Sequence, residues 1–262
     1  MTILDEINNN KRREIAEAKE KTSLEDLMRF PLFNREANSL VAALHQSDAS
    51  GIIAEFKTSS PSLGVINGTA DVTDVTSGYV KAGASGLSVL TDHSYFGGSL
   101  GNLAKARAVN PGIPILRKDF MLDPYQVYEA KAHGADIILL IAASLTRDEM
   151  LKMTELAKEL GLEVLVEVHT EEEIKKLNPM VDLAGVNNRN LKTFEVDVET
   201  SVRLGKILPE DMTRISESGI STIENIRYLR DNGYDGFLIG ENFMKTASPG
   251  QACTEFIAKL KA

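Results

Sequence analysis

Glu55 and Lys57 lie two residues apart at the end of an apolar run, in the segment IIAEFKTSSPSLG, residues 52–64. In an extended chain residues i and i+2 point the same way, so the carboxylate and the ammonium share one face while Phe56 takes the other. Similar endings recur downstream. Arg117, Lys118 and Asp119 close PILRKDF, Glu167 follows Leu165 on one face of EVLVEVH, Asn187 and Arg189 share a face in GVNNRN, and Ser216, Glu217 and Ser218 end TRISESG. Ammonium groups beside carboxylates provide proton donors and acceptors, the equipment of general acid–base chemistry. One such residue is as readily a solvated rim group or half of a structural ion pair, but recurrence on five runs points to a shared mouth.

The elements that must position these residues follow from hydrophobic patterning. From Gly51 onward, eight short runs rich in Val, Ile and Leu (IIAEFK, GLSVLTD, PILRKDF, DIILLIA, EVLVEVH, LAGVNNR, TRISESG and GFLIG) alternate with amphipathic stretches. Eight such βα units predict a closed (β/α)8 barrel, a fold of ~250 residues whose chemistry sits at the carboxyl ends of the strands. The rival, an open doubly wound sheet, is disfavoured because no Gly-rich nucleotide fingerprint follows the first run. Asp123 before Pro124 reads as a helix start, and Gly134, Gly161 and Gly233 as helix ends. Residues 1–47 fall outside the repeat. ILDEINNNKRREIAEAKEK reads as one helix with a solvated charged face, Ser23-x-x-Asp26 as a capping box, and NREANSLVAALHQ as a further helix. The expected organisation is one domain over 1–262, of which 1–47 is an N-terminal helical extension.

In such a barrel the loops after strands seven and eight often hold a phosphate, and here they are SESGIS and LIGENF. Gly219 and Gly240 let backbone approach an anion, so a phosphorylated small-molecule substrate is expected, with Lys57 either its cationic partner or a catalytic group.

Composition narrows the field. With 29 Lys and Arg against 38 Asp and Glu, the formal charge of −9 argues against a nucleic-acid partner. Cys253 is the sole cysteine, and His45, His93, His133 and His169 have no metal-ligand spacing, so neither metal nor other cofactor is expected. His93 and His169 are read as satisfied hydrogen-bonding residues. The N-terminus is too charged for a signal peptide and no apolar run reaches membrane-span length, which leaves a cytoplasmic expectation with no membrane partner.

Six blocks in order, IIAEFKTSSPSLG, TDHSYFGGS, PILRKDFMLDPYQVYEA, LVEVHTEEE, GVNNRNLKTF and SESGI, resemble the indole-3-glycerol-phosphate synthases of tryptophan biosynthesis over essentially the whole chain. Asn190, Asn242 and Phe243 depart from that family's pattern. The resemblance implies a cofactor-free lyase that closes the indole ring of 1-(2-carboxyphenylamino)-1-deoxyribulose 5-phosphate with loss of carbon dioxide and water. It implies active-site roles for Lys118, Lys57, Glu55, Glu167, Asn187 and Ser218, with Arg189 near the substrate carboxylate. Ser60, on a loop stiffened by Pro61, is a candidate donor to substrate, and Glu217, Gly219 and Gly240 complete the expected substrate-binding set. Either Lys118 or Lys57 can be the acid for ring closure. Association with other tryptophan-pathway enzymes is a further expectation. The alternatives are another phosphosugar barrel, an isomerase or a Schiff-base aldolase with Lys118 as nucleophile, and a catalytically silent phosphate-binding barrel.

Overall fold

A computed structural model describes residues 2–191 and 193–262. Three helices come first: α1 (Ile3–Lys21), α2 (Leu24–Met28) and α3 (Leu40–Leu44). Eight barrel strands then follow among the described residues, β1 (Ile52–Phe56), β2 (Gly86–Leu90), β3 (Ile115–Lys118), β4 (Ile137–Ile141), β5 (Glu163–Val168), β6 (Leu183–Asn187), β7 (Thr213–Glu217) and β8 (Gly236–Ile239). Each pairs in parallel with its sequence neighbours, and β8 closes on β1 with Phe237 opposite Ile52. The crossovers are helical: α4 (Val72–Lys81), α5 (Leu100–Val109), α6 (Tyr125–Ala132), α7 (Arg147–Glu159), the single turn α8 (Glu171–Ile174), α9 (Glu199–Gly205), α10 (Ile223–Asp231), and the pair α11 (Glu241–Met244) and α12 (Pro249–Lys261). This is the (β/α)8 barrel that the patterning predicts.

Alternation along the strands builds two cores. Ile53, Leu116, Leu139, Leu165, Leu183, Ile215 and Leu238 point inward and fill the barrel, while Ile52, Ala54, Val89, Ile138, Val166, Val186 and Phe237 face the helices. The inward row ends at the carboxyl side with Lys57, Leu90, Lys118, Ile141, Glu167, Asn187, Glu217 and Gly240, which all border one cavity. Arg117 and Ser216 stand one residue out of phase with this row. The sequence pattern predicts both at the mouth, but they lie on the outer face, buried against helices.

The N-terminal helices close both ends. Leu40 and Leu44 of α3 join the inner core next to Gly86 and Gly236, the first residues of β2 and β8, and so plug the amino end. The helix expected over NREANSLVAALHQ is shorter in the structure. Ser39 caps Ala42 N, the Glu163 carboxylate takes Leu40 N at 2.8 Å, and Asn38 N is committed to Asp136, so the chain before Leu40 is held by the barrel. At the carboxyl end, Ile3, Leu4 and Ile7 of α1 overhang the cavity. The solvated face expected for α1 is only part of the account: Ile7, Lys11 and Ile15, spaced by four, form a buried stripe, and Lys11 reaches Asp92 at 2.8 Å and Asp119 at 2.9 Å. Helix α6 begins at Tyr125, one residue later than expected, with Asp123 Oδ1 accepting from Tyr125 N at 2.9 Å. Gly134, Gly161 and Gly233 all have positive φ just past a helix, as their placement predicts.

Candidate active site

The cavity at the carboxyl end has a volume of about 460 Å³. All eleven residues expected at the site border it: Glu55, Lys57, Ser60, Lys118, Glu167, Asn187, Arg189, Glu217, Ser218, Gly219 and Gly240. Its apolar wall, which sequence reasoning did not assemble, comes from Ile3, Leu4 and Ile7 of α1 with Phe96, Phe120 and Ile141. The signal for α1 was present in the spacing of Ile3, Leu4 and Ile7, but no local feature says which surface that face covers.

Lys118 is the hub. Its ammonium donates to Glu217 Oε2 at 2.5 Å and to Glu167 Oε2 at 2.9 Å. Burial alone would push its pKa down, but Glu167, Glu217 and Glu55 outweigh that and hold it above the ordinary lysine value. Glu167 shows the converse balance. Burial favours its neutral form, yet Lys118 and His169 keep its pKa well below the usual carboxylate range. Asn187 Nδ2 donates to Glu167 Oε1 at 3.1 Å, and His169 Nε2 lies 3.2 Å from the same oxygen as an ionic contact rather than an aligned hydrogen bond.

Glu217 goes the other way. Burial raises its pKa to about 7, the pull of Lys118 is partly cancelled by repulsion from Glu167 and Glu55, and its Oε1 is buried without a hydrogen-bond partner. Gly185 of β6 provides its slot, since a Cβ there would collide with Glu217 Oε1. The second lysine is held separately: Lys57 Nζ is 3.1 Å from Glu55 Oε1, and Ser88 donates to Glu55 Oε2 at 3.1 Å. Three carboxylates and two ammonium groups therefore meet within one row of inward positions, and among them Glu167 and Glu217 are pushed in opposite directions.

The rim carries the other expected residues. After β1, Ser59 and Ser60 pair antiparallel with Gly64 and Val65 in a small ribbon, and this puts Ser60 against the cavity. Ser218 and Gly219 follow β7 with φ of 68° and 72°, an uncommon conformation for serine. Asn188 Nδ2 holds Ser218 O at 3.0 Å and so braces that turn. The two loop glycines also serve packing. A Cβ at Gly219 would collide with Val196, and one at Gly240 would come within 2.7 Å of Glu55 Oε1. Arg189 reaches Glu241 Oε2 at 3.7 Å and donates to Phe194 O at 3.3 Å, which leaves it at the cavity edge. Of the positions that depart from the family pattern, Asn242 borders the cavity, Phe243 is buried against Tyr79 and Phe256, and Asn190 caps the turn at Thr193. Among the described residues, no group of three or more His, Cys, Asp or Glu is arranged to hold a metal ion, and no helix is long and apolar enough to cross a membrane.

Residues 4–256 match the family model described as indole-3-glycerol phosphate synthase. Relatives of that name include one from Bacteroides thetaiotaomicron, 48% identical over 99% of both chains, and one from Salinibacter ruber, 41% identical over 100% of this chain and 97% of its own. Among solved structures, a 3-hexulose-6-phosphate synthase from Salmonella typhimurium superposes with a TM-score of 0.64 at 13% identity, covering 80% of this chain and 98% of its own. At that identity the likeness speaks for the barrel alone.

Proposed function

The chain belongs to the indole-3-glycerol phosphate synthase family, and from that premise we propose how its own residues divide the work. The reaction is a carboxy-lyase ring closure: 1-(2-carboxyphenylamino)-1-deoxyribulose 5-phosphate loses carbon dioxide and water to give indole-3-glycerol phosphate. Its first step joins the aromatic carbon that bears the carboxylate to the ribulose carbonyl carbon, and the carbonyl oxygen must gain a proton as charge builds on it. Decarboxylation restores the aromatic ring. Dehydration then needs an acid for the departing hydroxyl and a base for a proton.

Lys118 is the acid for ring closure in this reading, and the observation that carries it is the position of its ammonium between Glu167 and Glu217 on the cavity floor. Those carboxylates are what keep its pKa high against burial. When a neutral carbonyl takes the place of one of them, burial regains weight and the proton is more readily given. Glu167, held ionised, is the base of the dehydration, and Lys57 with Glu55 handles the departing hydroxyl. The apolar wall from α1, Phe96 and Phe120 suits the aromatic ring, and the turns at Ser218, Gly219 and Gly240, with Lys245 and Ser60 nearby, suit the phosphate. Arg189, whose backbone N–H donates to Asn187 Oδ1, faces the substrate carboxylate.

We extend the proposal to the whole chain as one barrel domain over 1–262 with an N-terminal extension over 1–47, to a cytoplasmic location, and to association with other enzymes of the tryptophan pathway. The test supplies the substrate without added cofactor and follows indole fluorescence, which a protein with no tryptophan leaves unobscured. A rise in indole fluorescence is expected, with inorganic phosphate as a competitive inhibitor. Binding without turnover would favour a silent barrel, and borohydride trapping of an adduct at Lys118 would favour an aldolase.

A further inference from the structure

His169 lies just past β5, off the cavity wall and behind Glu167, with only a tenth of its side chain exposed. Its two ring nitrogens face two carboxylates. Nε2 is 3.2 Å from Glu167 Oε1, and Nδ1 is 3.3 Å from Glu173 Oε2, which also accepts His169 N at 2.7 Å. Glu173 is itself held: it is the third residue of α8, and its backbone N–H is capped by Thr170 Oγ1. The row Glu173, His169, Glu167 therefore runs from a helix start to the reacting carboxylate, with an imidazole between two acids.

We propose that His169 is a positioning residue for Glu167: braced by Glu173, it keeps that carboxylate aligned and ionised once Lys118 turns from it toward the substrate. The inference rests on the reading of Glu167 as the reacting base. In the resting site Glu167 has two cationic neighbours, Lys118 in front and His169 behind. The first must leave to do its own chemistry, and a carboxylate buried at this depth then needs another opposite charge to stay ionised. Burial pushes the His169 imidazole down, but Glu167 and Glu173 outweigh it and lift its pKa to about 9, so it is charged at neutral pH. The other groups facing the row are Asn187, neutral, from β6; Glu217 from β7, which repels Glu167; and Lys176, which faces Glu173. None of these replaces the charge of His169 beside Glu167 Oε1. An orienting acid behind an imidazole is a recurrent means of fixing a catalytic group through its neighbour.

The test compares the pH profiles of kcat for the wild type, His169→Ala, His169→Gln, Glu173→Gln and Glu167→Gln. His169→Ala is expected to lower kcat about tenfold, below the ~10²-fold cost of removing a general base outright, with KM within about twofold. Its acidic limb is expected to move up by about one pH unit, because Glu167 loses an opposite charge. His169→Gln keeps a polar side chain of similar reach without the charge, so it should recover part of kcat but not the limb. Glu173→Gln touches no atom of Glu167 but loosens the brace that holds the imidazole against Glu167 Oε1, so it should move the limb the same way by less, which decides the matter if His169→Ala does not fold. An unmoved acidic limb in the folded variants, with Glu167→Gln inactive, would overturn the inference and leave the assignment of Glu167 standing. Wild-type turnover by Glu167→Gln would overturn both.

Discussion

Arg117 and Lys118 are neighbours on β3, yet they end in charged clusters on opposite sides of the barrel wall. Outside, Arg117 donates to Thr91 Oγ1, to Gln126 O, to Asp119 and to Glu129, and Asp119 is shared with Lys11 of α1. Burial would raise the Asp119 pKa, but Arg117 and Lys11 bring it down to about 2. Every guanidinium nitrogen there is spoken for, and the cluster ties α1 and α6 to the sheet. Inside, Lys118 meets Glu167 and Glu217, one Glu217 oxygen lacks a hydrogen-bond partner, and the group borders open space. Richness in charge does not distinguish the two. What does is the pairing of the two cations themselves and their access. A guanidinium with every nitrogen bonded and no contact with the cavity has no proton to offer a substrate, whereas Lys118 and Glu217 border open space with a proton and an unpaired oxygen between them.

The largest expected effect lies inside. Lys118→Met keeps most of the side chain's bulk and removes the proton, so kcat should fall ~10²- to 10⁴-fold while binding of a substrate analogue changes little. Lys118→Arg should be nearly as poor, since a guanidinium holds its proton too tightly to donate it near neutral pH. Steady-state rates with analogue titrations check both, and near-normal turnover in Lys118→Met would move the acid to Lys57 and erase the contrast. Arg117→Met should reverse the pattern. It leaves Asp119 and Glu129 buried and short of partners, so denaturant unfolding should show a loss of ~3–5 kcal/mol, with kcat per folded molecule within a few-fold of wild type. A catalytic collapse without loss of stability would place Arg117 in the chemistry.

The smallest effect sharpens the comparison through pH. Burial raises the folded-state pKa of Glu217 from 4.5 to about 7, so its contribution to stability is present below about pH 4.5 and is lost as pH rises through about 7. Glu217→Gln removes that dependence. Relative to wild type, the variant should become more stable between pH 5 and 8 by on the order of 2 kcal/mol. Parallel stability curves for the two proteins would show that Glu217 is comfortably ionised and that the inner cluster is as well paired as the outer one.

Much of the molecule was legible in the order of residues. All eight strands, the capping box at Ser23 and the glycine helix ends at Gly134, Gly161 and Gly233 follow from periodicity and backbone preference, which are local properties. The site residues on the strands were legible for the same reason, since inward positions recur every second residue and the carboxyl ends of β1, β3, β5, β6 and β7 are polar. Parity alone could also have separated Arg117 from Lys118, but that needs the phase of β3 relative to the barrel axis, and the short run PILRKDF does not carry it.

What remained hidden depends on contacts between distant segments. Lys11 looks like a solvated residue among charges until Asp92 and Asp119 are brought to it. His169 looks like a lone histidine until the end of β5 sets it between Glu167 and Glu173. By itself, then, the sequence determined the number and kind of elements, the barrel they close into and the residue types at its mouth, because patterning and turn chemistry act over a few residues. Only the tertiary structure decided which charges are fully paired and which face the cavity, because burial and pairing are set by groups from β1, β3, β5 and β7 that meet only when the sheet closes.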